Sequence, residues 1–212
     1  MDIQQLRTEY RSTPLMLKDM HSNPIEQLKL WMHTAIDEGV VEPNAMVLAT
    51  ASKDGQPSTR TVLIKQIHDE GIVFYTNYKS RKGREVLENP KVSVTIFWKE
   101  IDSQITIDGT AEKIPDEESE VYFSSRPRET QIGAWSSNQG EVLASRSVLV
   151  DAFENYTSKY VGQDVPKPPH WGGYIIRPTL FIFWKGREHR LHDRFLYEKE
   201  TAESWNIKRI SP

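Results

Sequence analysis

The 212-residue chain has no cysteine, 12 scattered prolines and a formal charge of -3. The missing thiols exclude disulfides, thiolate nucleophiles, iron-sulfur clusters and the usual structural zinc sites; the weakly acidic balance excludes a global attraction to nucleic acid or anionic membrane, so any bound anion must be held by a local cluster. With 37% hydrophobic and 27% charged residues, no apolar run of membrane-spanning length and no apolar stretch in Met1 to Tyr10 resembling a signal peptide, the expectation is a single folded domain over residues 1–212, placed in the cytoplasm.

Asn23 followed by Pro24 reads as a cap with proline at the first helical position, and Ile25, Leu28, Met32, Ala35 and Ile36 then recur at helical spacing until Gly39. From Ala45 the texture becomes a meander of short apolar runs cut by turn signals. These are Met46 to Ala51, then Asp54-Gly55, then Thr59 to Ile67, then Asp69 to Gly71, then Ile72 to Thr76. Strands follow at Val92 to Trp98 and Gln104 to Ala111, the second alternating Ile105, Ile107 and Gly109 against Thr106, Asp108 and Thr110. Pro115 opens a mostly helical insertion to about Trp135, with a further helix from Ser145 to Tyr160 and a proline-rich loop from Val165 to His170. Strand texture resumes at Gly173 to Ile176, Leu180 to Trp184, Phe195 to Glu198 and Trp205 to Ile210. The pattern predicts six to eight antiparallel strands closing into a barrel, mainly β with flanking helices.

No glycine-rich phosphate loop is present, so a phosphorylated ligand needs side-chain clamps. Arg60 and Lys65 lie in or beside one strand, Arg81, Lys82 and Arg84 follow the next, Arg126 and Arg128 flank a proline, and Arg190 and Arg194 form a fourth group. Isolated surface cations are commonplace. The spacing of Arg60 and Lys65, however, places them on opposite faces of a sheet, so one of them points toward packed protein or a partner and requires an anion. These clusters suffice for two phosphoryl groups.

His189 to Phe195 packs two histidines, two arginines and an aspartate into one short run. Only Asp193 offers a third metal ligand and the arginines repel a cation, so no metal is expected. An imidazole between guanidinium groups has its protonation disfavoured, which suits orienting an anionic substrate; His189 fits an ordinary loop histidine more readily than His192 does. Trp98, Trp135, Trp171, Trp184 and Trp205 are assigned to the core and an interface, with Trp184 alone near this run.

Several motifs occur together and in order: Asn44 to Thr50, Arg60-Thr61-Val62-Leu63-Ile64-Lys65, Phe74 to Asn77 with Ser80 to Lys82, Ser125 to Arg128, Gln131 to Trp135, Trp171 to Gly173, and His189 to Phe195. Through them the whole chain resembles the pyridoxine/pyridoxamine 5'-phosphate oxidase family. The resemblance implies a split β-barrel, antiparallel and Greek-key-like, forming a homodimer that binds FMN at two sites across the interface. It implies oxidation of pyridoxine or pyridoxamine 5'-phosphate to pyridoxal 5'-phosphate, with oxygen as acceptor. By this similarity FMN would contact Arg60, Thr61, Val62, Leu63, Ile64, Lys65, Tyr75, Thr76, Arg81, Lys82, Gln104, Gln139, Gly140, Trp184 and Arg194. The substrate phosphate would fall to Lys65, Tyr122, Arg126 and Thr130. Arg190, Leu191 and His192 would lie over the pyridine ring, with Arg190 and His192 in the catalytic role. Arg7, Thr8, Glu9 and Tyr10 would belong to an N-terminal segment, residues 1–22, that closes over the site. Thr130, Gly140 and Glu42 stand where serine, serine and aspartate are familiar in the family. Two other readings share the barrel: a flavin oxidase of the phenazine-biosynthesis type, and a flavin- or tetrapyrrole-binding module without catalysis.

Overall fold

Asn23 caps the first helix as its sequence suggests, its side chain accepting the Ile25 amide at 2.9 Å, and α1 runs Pro24–Asp37. In this computed structural model, which describes residues 2–6, 9–10 and 12–212, α1 buries Ile25, Leu28, Met32 and Ala35 against the concave side of a curled sheet. The calls on Arg7 and Thr8 lie outside the described residues.

The meander folds as β1 Ala45–Ala51, β2 Pro57–Leu63, β3 Gln66–His68 and β4 Gly71–Asn77. After α2, Arg81–Glu88, come β5 Lys91–Trp98 and β6 Ser103–Lys113. Three helices follow, α3 Asp116–Ser124, α4 Arg128–Ser136 and α5 Arg146–Lys159, before β7 Trp171–Lys185, β8 Asp193–Lys199 and β9 Trp205–Arg209. The nine strands form one antiparallel sheet in the order β2-β1-β5-β6-β7-β4-β3, with β8 and β9 continuing from β7. This is the split-barrel architecture the sequence implied. The strictly alternating burial of β6, with Ser103, Ile105, Ile107, Gly109 and Ala111 inward, shows the period-two pattern at its clearest.

Four details differ from the sequence reading. The described residues form nine strands, where about six to eight were expected. The run from Thr59 to Ile67 is two strands, because the Lys65 amide leaves the β1 edge for the Val73 carbonyl of β4 and the Ile64 carbonyl is taken by the Asn44 side chain. Lys65 therefore sits beyond the end of β2, and the opposite-face argument applies only to Arg60, which is half-buried on the inner side. Conversely, the two strands expected on either side of Pro178 are one, β7, whose ladder to β6 shifts register between Asp108 and Gly109. Proline lacks the amide a regular ladder needs, and the irregularity absorbs it without ending the strand. Finally, the cations after β4 belong to a helix, α2, that the sequence reading treated only as a sequel to a loop.

The long strand β7 creates the split. Its first half pairs with β4 and its second half with β8, while β6 runs along its other edge throughout. The main core lies inside the curl around Leu48, Phe74, Ile105, Phe181, Phe183 and Tyr197. A second cluster of Phe123, Ile132, Tyr160, Val165 and Trp171 joins α3, α4 and α5 to the start of β7.

Gly109 marks the register shift, and a Cβ there would lie 2.2 Å from the Arg177 carbonyl oxygen, a backbone atom that cannot rotate away. Gly109→Ala should therefore lower stability by about 1–3 kcal/mol. Gly133, inside α4 with nothing within 4 Å of its Cβ position, should gain about 0.5–1 kcal/mol on substitution by alanine. Urea unfolding midpoints moving in opposite directions for the two variants check both signs.

Candidate active site

A cavity of about 690 Å³ opens between the end of β2, the β4 strand, α2 and the α3–α4 unit. Thr61, Val62, Leu63, Lys65, Tyr75, Thr76, Lys82, Tyr122, Arg126, Thr130 and Gln139 line it. The fold thus unites two groups of residues that are far apart in sequence, those after β1 and those of the helical insertion.

Lys82 is the first of its two cationic features. It occupies the first turn of α2, whose cap, Ser80, accepts the Gly83 amide. Its ammonium is buried and donates to Gln139 Oε1 at 2.9 Å, Thr76 Oγ1 at 3.1 Å and Ser80 Oγ at 3.4 Å, all neutral acceptors. Burial, with the nearby Arg60 guanidinium adding to it, pulls its pKa down to about 8.

Arg126 is the second. Its guanidinium carbon lies 4.7 Å from the Trp171 ring centre and 5.5 Å from that of Phe123. Its Nη1 is buried without a hydrogen-bond partner. Arginine cannot shed its proton to escape this position, so an unpartnered buried Nη is an open demand for an acceptor. Trp171, Tyr75 and Tyr122 form a stacked aromatic wall beside it, with Tyr75 and Tyr122 ring centres 3.9 Å apart at 20° and Tyr75 and Trp171 5.3 Å apart at 11°. The wall depends on the Trp171-Gly172-Gly173 run. Gly173 pairs with Tyr75 across the β4–β7 ladder, and a Cβ there would lie 2.9 Å from Tyr75 Cε1.

The fit to a phosphorylated, aromatic ligand is therefore specific. Among the described residues the buried Lys82 and the buried Nη1 of half-buried Arg126 have no anionic partner, and a flat aromatic wall lies beside the arginine. Lys65 is exposed at the rim. Thr130 spends its hydroxyl proton on the Pro127 carbonyl at 2.7 Å, leaving its lone pairs and methyl for the cavity. Arg128 and Arg84 are occupied elsewhere, Arg128 on the carbonyls of Tyr160 and Gln163 and Arg84 on that of Lys79. Ile64 is buried in the core, with its carbonyl taken by Asn44 Nδ2. Arg60 and Arg81 lie outside the cavity lining and converge on Glu85. Gly140 follows Gln139 at φ 94, a conformation that serine would adopt only under strain.

The remaining predicted residues form a separate group. Trp184, His192 and Tyr10 pack together, with Trp184–His192 ring centres at 4.8 Å, Tyr10–Trp184 at 5.3 Å and Tyr10–His192 at 5.4 Å. Tyr10 reaches this position by lying on Gly186, where a Cβ would come within 2.7 Å of its ring, while Glu9 is exposed beside it. Arg190 and Leu191 are exposed, and Arg190 and the preceding His189 have φ of 63° and 56°. Consecutive left-handed non-glycine residues of this kind collect at functional turns. Arg194 donates to the Ser211 carbonyl at 3.1 Å, and Gln104 sits near Thr106.

Strand register explains the separation. Gln104, Trp184 and Arg194 are successive partners across β6, β7 and β8, on the outward face of the sheet that also carries Thr61 and Leu63. Between β2 and β6 lie β1 and β5, so roughly 14 Å of sheet intervenes at about 4.8 Å per strand. The intervening strip exposes Val47 and Phe97, 43% and 49% accessible.

Sequence reasoning passed over Trp171 as a site residue, placing it with the core, and did not consider Asn77 or Glu85. For Trp171 the available signal was the glycine pair that follows it.

Two family models cover most of the chain. One described as pyridoxamine 5'-phosphate oxidase matches residues 32–160, and one described as pyridoxine 5'-phosphate oxidase C-terminal dimerisation region matches residues 171–212. The chain is 46% identical over 212 residues to a pyridoxine/pyridoxamine 5'-phosphate oxidase of Aliarcobacter butzleri, covering 100% of both. It is 45% identical to that of Trichormus variabilis, covering 99% of this chain and 98% of the relative. Among solved structures, PhzG from Burkholderia lata in complex with tetrahydrophenazine-1-carboxylic acid superposes with a TM-score of 0.89 at 32% identity, covering 95% of this chain and 99% of that one. A pyridoxamine 5'-phosphate oxidase-related, FMN binding protein from Nostoc punctiforme shares the fold at a TM-score of 0.73 and 15% identity, covering 91% and 100%. Among the described residues no helix is long and apolar enough to cross a membrane.

His192 supplies the test of this region. Its Nδ1 accepts the Arg187 amide at 3.0 Å, and because that amide can only donate, Nδ1 carries no proton and Nε2 does. Burial first, and the Arg190 charge second, hold its pKa below the usual histidine value. The ring should thus stay neutral, as the Nε2–H tautomer, when pH falls to 6.5, and Arg190→Gln should raise its pKa without restoring the ordinary value. Long-range ¹⁵N correlation spectra across pH 5–8 read both; a ring titrating at or above 6.5 contradicts the assignment.

Proposed function

The chain belongs to the pyridoxine/pyridoxamine 5'-phosphate oxidase family, and from that premise we propose that it binds FMN and oxidises pyridoxine or pyridoxamine 5'-phosphate to pyridoxal 5'-phosphate. The observation that carries the reading is the cavity lined by the buried Lys82 and by Arg126 with its buried Nη1, neither of which has an anionic partner among the described residues. One phosphoryl group belongs to each: that of FMN to Lys82 with Arg60 and Arg81, and that of the substrate to Arg126 with Lys65 and Tyr122. A charge-assisted hydrogen bond is worth about 1.5–3 kcal/mol, so a few such contacts hold a phosphoryl group without a glycine loop.

FMN, when bound, supplies the acceptor for the hydride leaving the substrate C4' carbon and passes the electrons to oxygen, giving hydrogen peroxide. The chain's own residues provide position. Arg126 and Lys65 grip the phosphate remote from C4' and use that binding to fix the reacting carbon. The aromatic wall of Tyr75, Tyr122 and Trp171 excludes water beside the phosphate clamp. His192, neutral and donating from Nε2, and Arg190 hold the substrate's oxygen or nitrogen, and the proton lost with the hydride passes to water.

Since Arg190, His192, Trp184, Gln104 and Arg194 stand apart from this cavity in one chain, each complete site is read as shared by two copies. A homodimer across the outward face would cover Val47 and Phe97 and bring the His192 group of one copy to the cavity of the other. The match of residues 171–212 to a dimerisation region supports this arrangement. Residues 1–22, through Tyr10, are read as the segment that closes over the second half of the site.

Purified protein given FMN, oxygen and pyridoxine 5'-phosphate should release peroxide and aldehyde in equal amounts. Lys65→Ala and Arg126→Ala should raise KM for the phosphorylated substrate at least tenfold, about 1.4 kcal/mol, with FMN retained. Unchanged kinetics in both would favour an oxidase of the kind PhzG represents, and neither product would indicate a binding module. Sharing of the site has its own test. Arg126→Ala and His192→Ala dimers, each slow at a substrate concentration well below the raised KM, should regain activity there when unfolded and refolded together, because a mixed dimer then contains one site with neither defect. Mixtures that stay inactive would place both residues of a site on one chain.

A further inference from the structure

Behind the cavity, where α2 crosses the inner side of β1 and β2, Glu85 is buried among polar partners on three elements. Its carboxylate accepts Arg81 Nε at 2.7 Å, Ser58 Oγ at 2.5 Å, the Thr50 hydroxyl, and Arg60 Nη2 at 3.4 Å. Arg60 in turn donates to Thr50 Oγ1 at 2.5 Å, to the Leu48 carbonyl at 3.3 Å and to Ser58. Two guanidinium groups, from β2 and from the first turn of α2, thus share one carboxylate.

Helix energetics do not account for this arrangement. The first turn of α2 contains Arg81, Lys82 and Arg84 and no acid, so its cations face the positive end of the helix dipole. The Arg81–Glu85 pair also runs cation before anion, the less favourable order at this spacing. A sequence selected for helix stability alone would place these charges the other way round. The hydrogen bonding points to a different purpose. Glu85 takes Arg81 through Nε only, and the two terminal nitrogens, on a side chain 60% exposed, make no hydrogen bond among the described residues. Holding a guanidinium by Nε fixes its plane and leaves the pair of Nη groups, the edge suited to bidentate phosphoryl recognition, free.

We propose that Glu85 is a positioning residue for the flavin phosphoryl group: it touches neither ligand nor cavity, and it holds Arg81 by Nε so that the free Nη groups of that side chain meet the phosphate alongside Lys82. This rests on the reading of the cavity as an FMN site. The carboxylate is a net benefit to anion binding despite its charge, because flexible arginine side chains lose rotamer freedom on binding unless something has already fixed them.

The test compares FMN with riboflavin, which has the same ring system and no phosphoryl group, by quenching of flavin fluorescence on titration of full-length apoprotein. Glu85→Gln keeps one acceptor oxygen and Glu85→Met keeps none. FMN affinity should fall in the order wild type, Gln, Met, by about tenfold or more at the extreme, while riboflavin affinity changes less than twofold. In an Arg81→Met background the Glu85→Gln loss should shrink, since the residue acts through Arg81. Equal losses for FMN and riboflavin would mean Glu85 only supports the fold, and unchanged or tighter FMN binding would mean the carboxylate merely competes with the phosphate; either overturns the proposal. If Glu85→Met does not fold, Glu85→Gln decides alone by the same criterion. A wild-type protein showing no preference for FMN over riboflavin overturns the cavity assignment itself, and this inference with it.

Discussion

The structure depends on the cost of holding positive charge away from water. A buried, unpaired cation is penalised by several kcal/mol, and a folded protein ordinarily removes that penalty by pairing the charge or by shifting its pKa. Lys82 and Arg126 respond differently because their chemistry differs. The lysine is surrounded by hydroxyl and amide oxygens, and its pKa falls to about 8, so it can give up its proton when no anion is present. The arginine has no such exit and is held over the faces of Trp171 and Phe123, whose negative ring quadrupoles offer partial compensation. Neither solution is as good as a phosphoryl group. The second core cluster, in which α3, α4 and α5 pack onto the start of β7, holds Arg126 in this position.

Sheet topology decides how these charges are distributed. Because β7 exchanges β4 for β8 halfway along, the curl is split, and the side chains at its second half face outward onto a strip of the sheet that also contains Thr61 and Leu63. Residues with related roles thus share a face without sharing a neighbourhood. Strand spacing fixes how far apart they are, with two strands, β1 and β5, lying between β2 and β6. In the homodimer proposed above, a two-fold operation would bring one end of the strip to the other end on the partner and make two equivalent sites at once.

Much of this was legible in the sequence where period and punctuation agree. The cap at Asn23, the alternation from Ser103 to Ala111 and the turn signals of the early meander each describe a local backbone preference, and the fold respects them. Where the reading failed, a longer-range partner overrode the local signal. Pro178 reads as a strand breaker, yet the ladder to β6 tolerates it through an irregular register. Ile64 reads as the interior of a strand, yet the Asn44 side chain takes its carbonyl and the next amide, that of Lys65, turns to Val73, so β2 ends there. Cationic motifs showed which residues could hold phosphate but not which were already committed: Arg128 and Arg126 look equivalent two positions apart, and only the carbonyls of Tyr160 and Gln163 distinguish them.

The same override explains why Glu85 escaped notice. A glutamate four residues after an arginine on a short helix is among the commonest surface patterns, and such pairs contribute a few tenths of a kcal/mol. What sets this one apart is invisible from α2 alone. Thr50 and Ser58 arrive from β1 and β2 and, with Arg81, hold the carboxylate pKa down to about 2 against the upward effect of burial, so that it is charged at neutral pH. Local rules are broken together at this end of the molecule: cations at the positive end of a helix, a lysine inside, and left-handed His189 and Arg190 on the opposite group. Each deviation alone is a small loss. Their concentration around one cavity and the group that would complete it is what a site evolved for anion recognition would produce, because the groups that oppose folding there are the ones that a phosphorylated ligand satisfies.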